Sequence, residues 1–84
     1  MNSDQQKTIM DAVKNHKVIE AVFVEGPIVY LVVEDHSDTA YEAASAIDKR
    51  LSPTLGDDAD IRIRAHQGKG VESLGLDRWA KRVL

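Results

Sequence analysis

The stretch Ile61-Arg62-Ile63-Arg64-Ala65-His66-Gln67-Gly68-Lys69-Gly70 decides the fold of this chain. Apolar and basic side chains alternate over its first half, which is the pattern of a strand with one apolar face and one basic face. The two glycines that flank the lysine predict a turn directly after the strand. The stretch therefore predicts a sheet with a basic face or edge that ends in a cationic turn.

Two further strands and two helices are predicted upstream of this segment. Residues 18–24 and 28–33 are rich in β-branched side chains, and the glycine and proline between them favour a hairpin. Residues 4–16 carry apolar side chains at helical spacing. A second helix, capped by Asp38 or Thr39, is expected to end at Ser52-Pro53, because proline disfavours helical geometry in the residue before it.

A last helix is predicted to begin at Asp77, with Leu76, Trp79, Ala80 and Val83 facing inwards. The element order is then α-β-β-α-β-α, which predicts one small two-layer α+β domain over residues 1–84.

The strand order predicted for this domain is 2-1-3. A right-handed crossover through the middle helix makes the third strand parallel to the second. Placing the third strand beside the first gives a three-stranded, mainly antiparallel sheet with helices on one face, as in a split βαβ unit. The second strand is then an unprotected edge that is apolar on both faces, and Val29 and Leu31 are predicted to pair with a strand of a partner or of a second copy.

Composition excludes several classes of protein. The chain has no cysteine, so it has neither a disulfide nor a thiolate metal site, and a reducing compartment such as the cytoplasm is expected. No segment reaches the roughly 18 apolar residues of a membrane span. The polar N-terminus lacks the apolar core of a signal peptide. A cytoplasmic protein with no membrane partner is therefore predicted.

Charge is divided unevenly along the chain. Residues 1–60 carry 12 acidic and 5 basic side chains, whereas residues 61–84 carry 2 acidic and 6 basic ones, giving −7 and +4 within a net charge of −3. The two halves either compensate each other in the folded protein or form a basic docking surface on an acidic body. The basic candidates for partner binding are Arg62, Arg64, Lys69, Arg78, Lys81 and Arg82.

These patterns favour a small non-enzymatic interaction or adaptor module that binds another protein or itself as a homodimer. No serine lies in a G-x-S-x-G motif and no cysteine nucleophile exists, so no catalytic residue and no cofactor are predicted. A nucleic-acid-binding module that uses the same basic residues as phosphate contacts is the first alternative. An acidic chain with a pI near 5.5 and few aromatic residues argues against it.

A metal- or anion-binding module is the second alternative. The start of the first strand and the ends of the other two meet at one end of the sheet, which gathers His16, His36 and His66 there with nearby carboxylates. Zinc takes imidazole and carboxylate ligands. Backbone amides of the turn at Gly68, Lys69 and Gly70, together with the lysine ammonium, are candidate anion ligands.

Overall fold

The computed structural model describes residues 2–56 and 59–84. Its helices and strands are α1 Ser3–Val13, β1 Ala21–Glu25, β2 Ile28–Val33, α2 Asp38–Leu55, β3 Asp60–Ala65 and β4 Lys81–Arg82, with short 3₁₀ helices at Val71–Leu74 and Leu76–Arg78 before β4. The predicted α+β class is confirmed. No helix in the described part of the chain is long and apolar enough to cross a membrane.

The sheet has four strands in the order β3-β2-β1-β4. The parallel relation predicted between β2 and β3 is confirmed, and β1 runs antiparallel to both β2 and β4. The predicted order 2-1-3 is wrong, because β3 lies beside β2 and not beside β1. A strand that is apolar on both faces belongs in the middle of a sheet that is covered on both sides.

Burial along β2 shows why it is central. Val29, Leu31 and Val33 point into the helix side of the sheet and are fully buried. Tyr30 and Val32 point to the other side and are also buried. Val29 and Leu31 therefore belong to the core, and the prediction that they pair with a partner at an edge is wrong.

Helices α1 and α2 cover one face of the sheet. The core between them and the sheet is aliphatic and includes Ile9, Val13, Val22, Leu31, Ile47 and Leu51. The small side chains Ala40, Ala43 and Ala44 line the buried side of α2, which lets the helix approach the strands closely. The helices on one face follow the predicted pattern.

Both ends of α2 differ from their predicted positions. The N-cap is Ser37, whose Oγ accepts a hydrogen bond from the Ala40 N–H, so the cap precedes the predicted one. At the other end Pro53 lies inside the helix, which continues to Leu55. The helix ends at Gly56, whose φ of 83° is easily reached only by glycine and whose N–H donates to the Ser52 carbonyl.

The C-terminal segment is not the predicted helix. Gly75, at a φ of 64°, separates the two 3₁₀ helices, and β4 then pairs with the open edge of β1. The segment covers the second face of the sheet, where Leu76 packs among Phe23, Tyr30 and Val32. Satisfying the free backbone groups of β1 outweighs the helical periodicity of this segment. Trp79, predicted to face inwards, is 49 % exposed.

Candidate functional site

Strand β3 forms one edge of the sheet. The Asp60 N–H donates to the Pro27 carbonyl over 2.9 Å, and the His66 N–H donates to the Val33 carbonyl over 3.1 Å. Because backbone groups of successive strand residues point to opposite sides, the N–H and C=O groups of the odd-numbered residues Ile61, Ile63 and Ala65 point away from β2. Within the described residues no strand pairs with this side of β3.

A groove runs beside this edge on the helix side of the sheet. It has a volume of about 270 Å³ and is lined by Tyr41, Ala44, Ser45, Asp48, Ile61 and Ile63. The four α2 residues share one helix face because they follow one another at spacings of three, one and three residues. The two isoleucines are only partly buried, so the floor of the groove is apolar and open to solvent.

His36 supports the tyrosine at the rim of this groove. The Tyr41 hydroxyl lies 3.2 Å from His36 Nδ1, and the two rings stack with their centroids 5.8 Å apart. The side chain of Tyr41 is nevertheless about half exposed. The rim therefore offers an exposed ring whose position is set by a neighbouring imidazole.

Two arginines lie on the other face of β3. Arg62 Nε donates to Asp60 Oδ2 over 2.8 Å, and this hydrogen bond, with the attraction between the two charges, raises the pKa of the Arg62 guanidinium above its ordinary value. No hydrogen bond or ion pair to any residue of 2–56 or 59–84 engages the Arg64 side chain. The edge thus has an apolar side and an opposite side on which, among the described residues, Arg64 is a cation without a partner.

His66 ends β3 and organises the turn that follows it. Its ring is buried, and Nδ1 accepts hydrogen bonds from the Gly68 and Gly70 N–H groups, each over 3.1 Å. Nε2 lies 2.9 Å from Glu20 Oε1. Because Nδ1 accepts two hydrogen bonds, the proton of the ring sits on Nε2, which donates to the carboxylate.

These bonds bear on the predicted anion site. The Lys69 N–H donates to the His66 carbonyl over 3.1 Å, so the amides of Gly68, Lys69 and Gly70 are all engaged inside the turn. Only the Lys69 ammonium remains as an anion ligand. The backbone part of that hypothesis has no free donor in this structure.

The three histidines do not form a metal centre. His16 lines an open depression of about 500 Å³ between the end of α1 and the start of α2, whereas His36 contacts Tyr41 and His66 contacts Glu20. No group of three or more histidine, aspartate or glutamate side chains able to hold a metal ion occurs in the part of the chain that the structure describes. The strand ends do lie at one end of the sheet, as predicted.

The predicted basic residues divide between opposite edges of the sheet. Arg62 and Arg64 lie on β3, whereas Lys81 and Arg82 lie on β4, three strand spacings or about 14 Å away. Arg82 lies over the Phe23 ring at 5.7 Å and within 4.0 Å of Glu72, and Lys81 points to the opposite face of β4. Arg78 is in the second 3₁₀ helix. These residues do not make one continuous basic face.

The residues that sequence reasoning missed are those of the groove. The groove residues of α2 include Tyr41, Ser45 and Asp48, which are polar or amphipathic. In the sequence they are typical of the solvent-exposed side of a helix. Their significance depends on which strand lies next to α2, and only the strand order reveals that. The available signal was the alternation of β3 itself, which is typical of a strand with one face towards the core and one face towards solvent.

The chain was also compared with known proteins. No protein-family model matches it, and neither a curated protein nor a solved structure gives a significant match.

Proposed function

We propose that this chain is a non-enzymatic protein-interaction module that binds an extended segment of a partner protein as an additional strand beside β3. The observation that carries this proposal is the coincidence of an unpaired strand edge with a groove along the same strand, whose floor is the apolar pair Ile61 and Ile63. Strand addition uses these two features together, since main-chain hydrogen bonds hold the peptide and side pockets read its alternate side chains.

The regularity of β3 supports the proposal. Its pairing with β2 is continuous from Asp60 to Ala65, and the strand contains no proline. Proteins usually protect a free edge with a bulge, a proline, a very short strand or a charge directed inwards. The opposite edge follows this rule, because β4 is only two residues long and carries Lys81. The β3 edge is six residues long, with no bulge and no proline among its described residues. Its charged side chains, Asp60, Arg62 and Arg64, all lie on the face opposite the groove.

A selection experiment followed by mapping tests the proposal. Peptides selected against the folded protein from a displayed library of short random sequences would be added to ¹⁵N-labelled protein. We expect the amides of Ile61, Ile63 and Ala65 to become protected from solvent exchange when such a peptide binds. Perturbations confined to another surface, or no selected peptide at all, would contradict the proposal.

Two matched variants link the binding to the groove. Ser45 and Ala46 are adjacent, exposed positions of α2, and only Ser45 lines the groove. We expect Ser45→Trp to weaken peptide binding at least about tenfold by filling the groove with a bulky side chain, and Ala46→Trp to leave it unchanged. Equal affinities for both variants would exclude the groove from the binding site.

Titration of the same ¹⁵N-labelled protein with an oligonucleotide separates this function from nucleic-acid binding. An oligonucleotide that binds through phosphate contacts loses affinity steeply between low and physiological salt. Tight, salt-dependent oligonucleotide binding with no protection of the β3 amides would replace the proposal by that alternative.

A further inference from the structure

We infer that the strand received by β3 carries acidic side chains on alternate positions, comes from a chain other than a second copy of this protein, and is selected by Arg64. This inference rests on the proposed function and adds the chemistry of the partner. It follows from the two unlike faces of β3 and from the registers that the edge permits.

The face of each partner side chain is set by the geometry of pairing. Residues directly opposite one another in adjacent strands point to the same side of the sheet. A partner residue opposite Ile61 or Ile63 therefore enters the groove, over its apolar floor. A partner residue opposite Arg62 or Arg64 lies on the face that carries the guanidinium groups.

The two arginines are not equally available. Arg62 is held by Asp60 on the same face of β3, over 2.8 Å. Arg64 has no hydrogen-bonding or ionic partner within residues 2–56 and 59–84. A glutamate or aspartate opposite Arg64 forms a new cross-strand ion pair, whereas one opposite Arg62 has to share its cation. Arg64 is therefore the residue that makes binding depend on the charge of the partner strand.

Pairing of β3 with a second copy of itself brings like charges together. Antiparallel pairing joins the outward-pointing residues, so Ile61, Ile63 and Ala65 have to face one another. With Ile63 opposite Ile63, Arg62 stands opposite Arg64 on both sides of the centre. With Ile61 opposite Ile63, Arg62 stands opposite Arg62, and Asp60 stands opposite Arg64. Four guanidinium groups then share two carboxylates that Arg62 already binds, so the paired face keeps a net positive charge. These two registers use the most of β3, and like charges directly opposite are destabilising.

Pairing of β3 with the other edge of a second copy meets the same obstacle. The outer strand there is β4, which consists of Lys81 and Arg82 alone. A head-to-tail contact would place this basic strand beside the arginines of β3. A glutamate or aspartate opposite Arg64 supplies the negative charge that neither arrangement of two copies adds, so charge complementarity favours a strand of another protein.

The test compares three fluorescein-labelled heptapeptides in which valine alternates with glutamate, serine or lysine. Anisotropy titrations give the affinities, and protection of the Ile61 and Ile63 amides locates each peptide. We expect the glutamate peptide to bind more tightly than the serine peptide by about two- to fivefold for each ion pair formed, and the lysine peptide to bind least. The preference should diminish as salt is added.

A charge reversal distinguishes Arg64 from the overall charge of the protein. Arg64→Glu should reverse the order so that the lysine peptide binds better than the glutamate peptide. Lys81→Glu makes the same change of net charge on β4, at the opposite edge of the sheet, and should leave the order intact. Reversal by both variants, or by neither, would overturn the role of Arg64.

The remaining outcomes separate the inference from the function beneath it. Equal binding of the glutamate and serine peptides at β3 would overturn the acidic specificity and leave strand addition intact. Absence of protection at β3 with every peptide would overturn both. Sedimentation that shows a dimer, with the Ile63 amide protected as protein concentration rises, would identify a second copy as the occupant and overturn the choice of partner.

Discussion

His66 and Glu20 are joined across the end of β2 by a hydrogen bond of 2.9 Å between Nε2 and Oε1. The histidine follows β3 and the glutamate precedes β1, so the bond ties together the two strands that flank β2. The other ring nitrogen is occupied by the Gly68 and Gly70 amides. One buried ring thus fixes the relation of three strands and the shape of the turn after them.

Removal of this ring should destabilise the protein. His66→Ala leaves two turn amides without an acceptor, and a buried polar group that loses its partner costs about 1–3 kcal/mol. We expect the free energy of unfolding, measured with urea, to fall by about 2–4 kcal/mol. His36→Ala, at a histidine exposed on the surface, is the control and should cost under about 1 kcal/mol. Equal losses in the two variants would contradict the proposed role of His66.

The tautomer of His66 is a separate prediction. Because Nδ1 accepts two amide hydrogen bonds, only Nε2 can carry the proton of the neutral ring. Long-range ¹H–¹⁵N spectra of histidine-labelled protein near neutral pH should show Nε2 protonated and Nδ1 bare. A protonated Nδ1 would mean that the turn amides do not bind the ring.

Backbone exchange should alternate along β3. The Arg62 and Arg64 amides point towards β2 and should exchange slowly with solvent, whereas those of Ile61 and Ile63 point outwards and should exchange quickly. Hydrogen–deuterium exchange followed by NMR measures this residue by residue. Uniformly slow exchange over residues 61–65 in a dilute sample would show that something already covers the edge.

The C-terminal segment offers a paired comparison of two large side chains. Leu76 is 1 % exposed and fills the second face of the sheet, whereas Trp79 is 49 % exposed. Leu76→Ala should lower the free energy of unfolding by about 2–5 kcal/mol, and Trp79→Ala by under about 1 kcal/mol. The opposite ranking would fit the inward-facing helix predicted from the sequence.

The sequence predicted most of the helices and strands correctly, but not which strands lie next to one another. Alternation identified β3, β-branched content identified β1 and β2, and apolar spacing identified α1 and α2, because these signals are local. Strand order depends on long-range burial. The informative feature of the sequence was that β2 is apolar on both faces. A sheet covered by helices on only one side would leave the second apolar face of β2 exposed to solvent, so the predicted arrangement was incomplete.

The same dependence on distant contacts explains the missed C-terminal strand and the missed groove. Residues 76–83 have helical periodicity. They nevertheless form a strand at their end, because the edge of β1 has unpaired backbone groups with which Lys81 and Arg82 can pair. Tyr41 and Ser45 acquire a role only because β3, and not another strand, lies beneath α2. The arginines of β3 were identified correctly as a basic strand face, since alternation alone fixes their common side.

The pairing of β1 with β4 also orders the events of folding. Phe23 pairs with Tyr30 in a hairpin and with Arg82 near the far end of the chain. Closing a long loop costs more entropy than closing a short one, so contacts between distant residues form late. The hairpin is therefore expected to nucleate the sheet, and β4 is expected to dock last and to detach first when the protein opens. Each such opening exposes the side chains of Phe23 and Tyr30 and the edge of β1. Because exposed apolar side chains and free strand edges promote aggregation, docking of the C-terminal residues protects the protein against it.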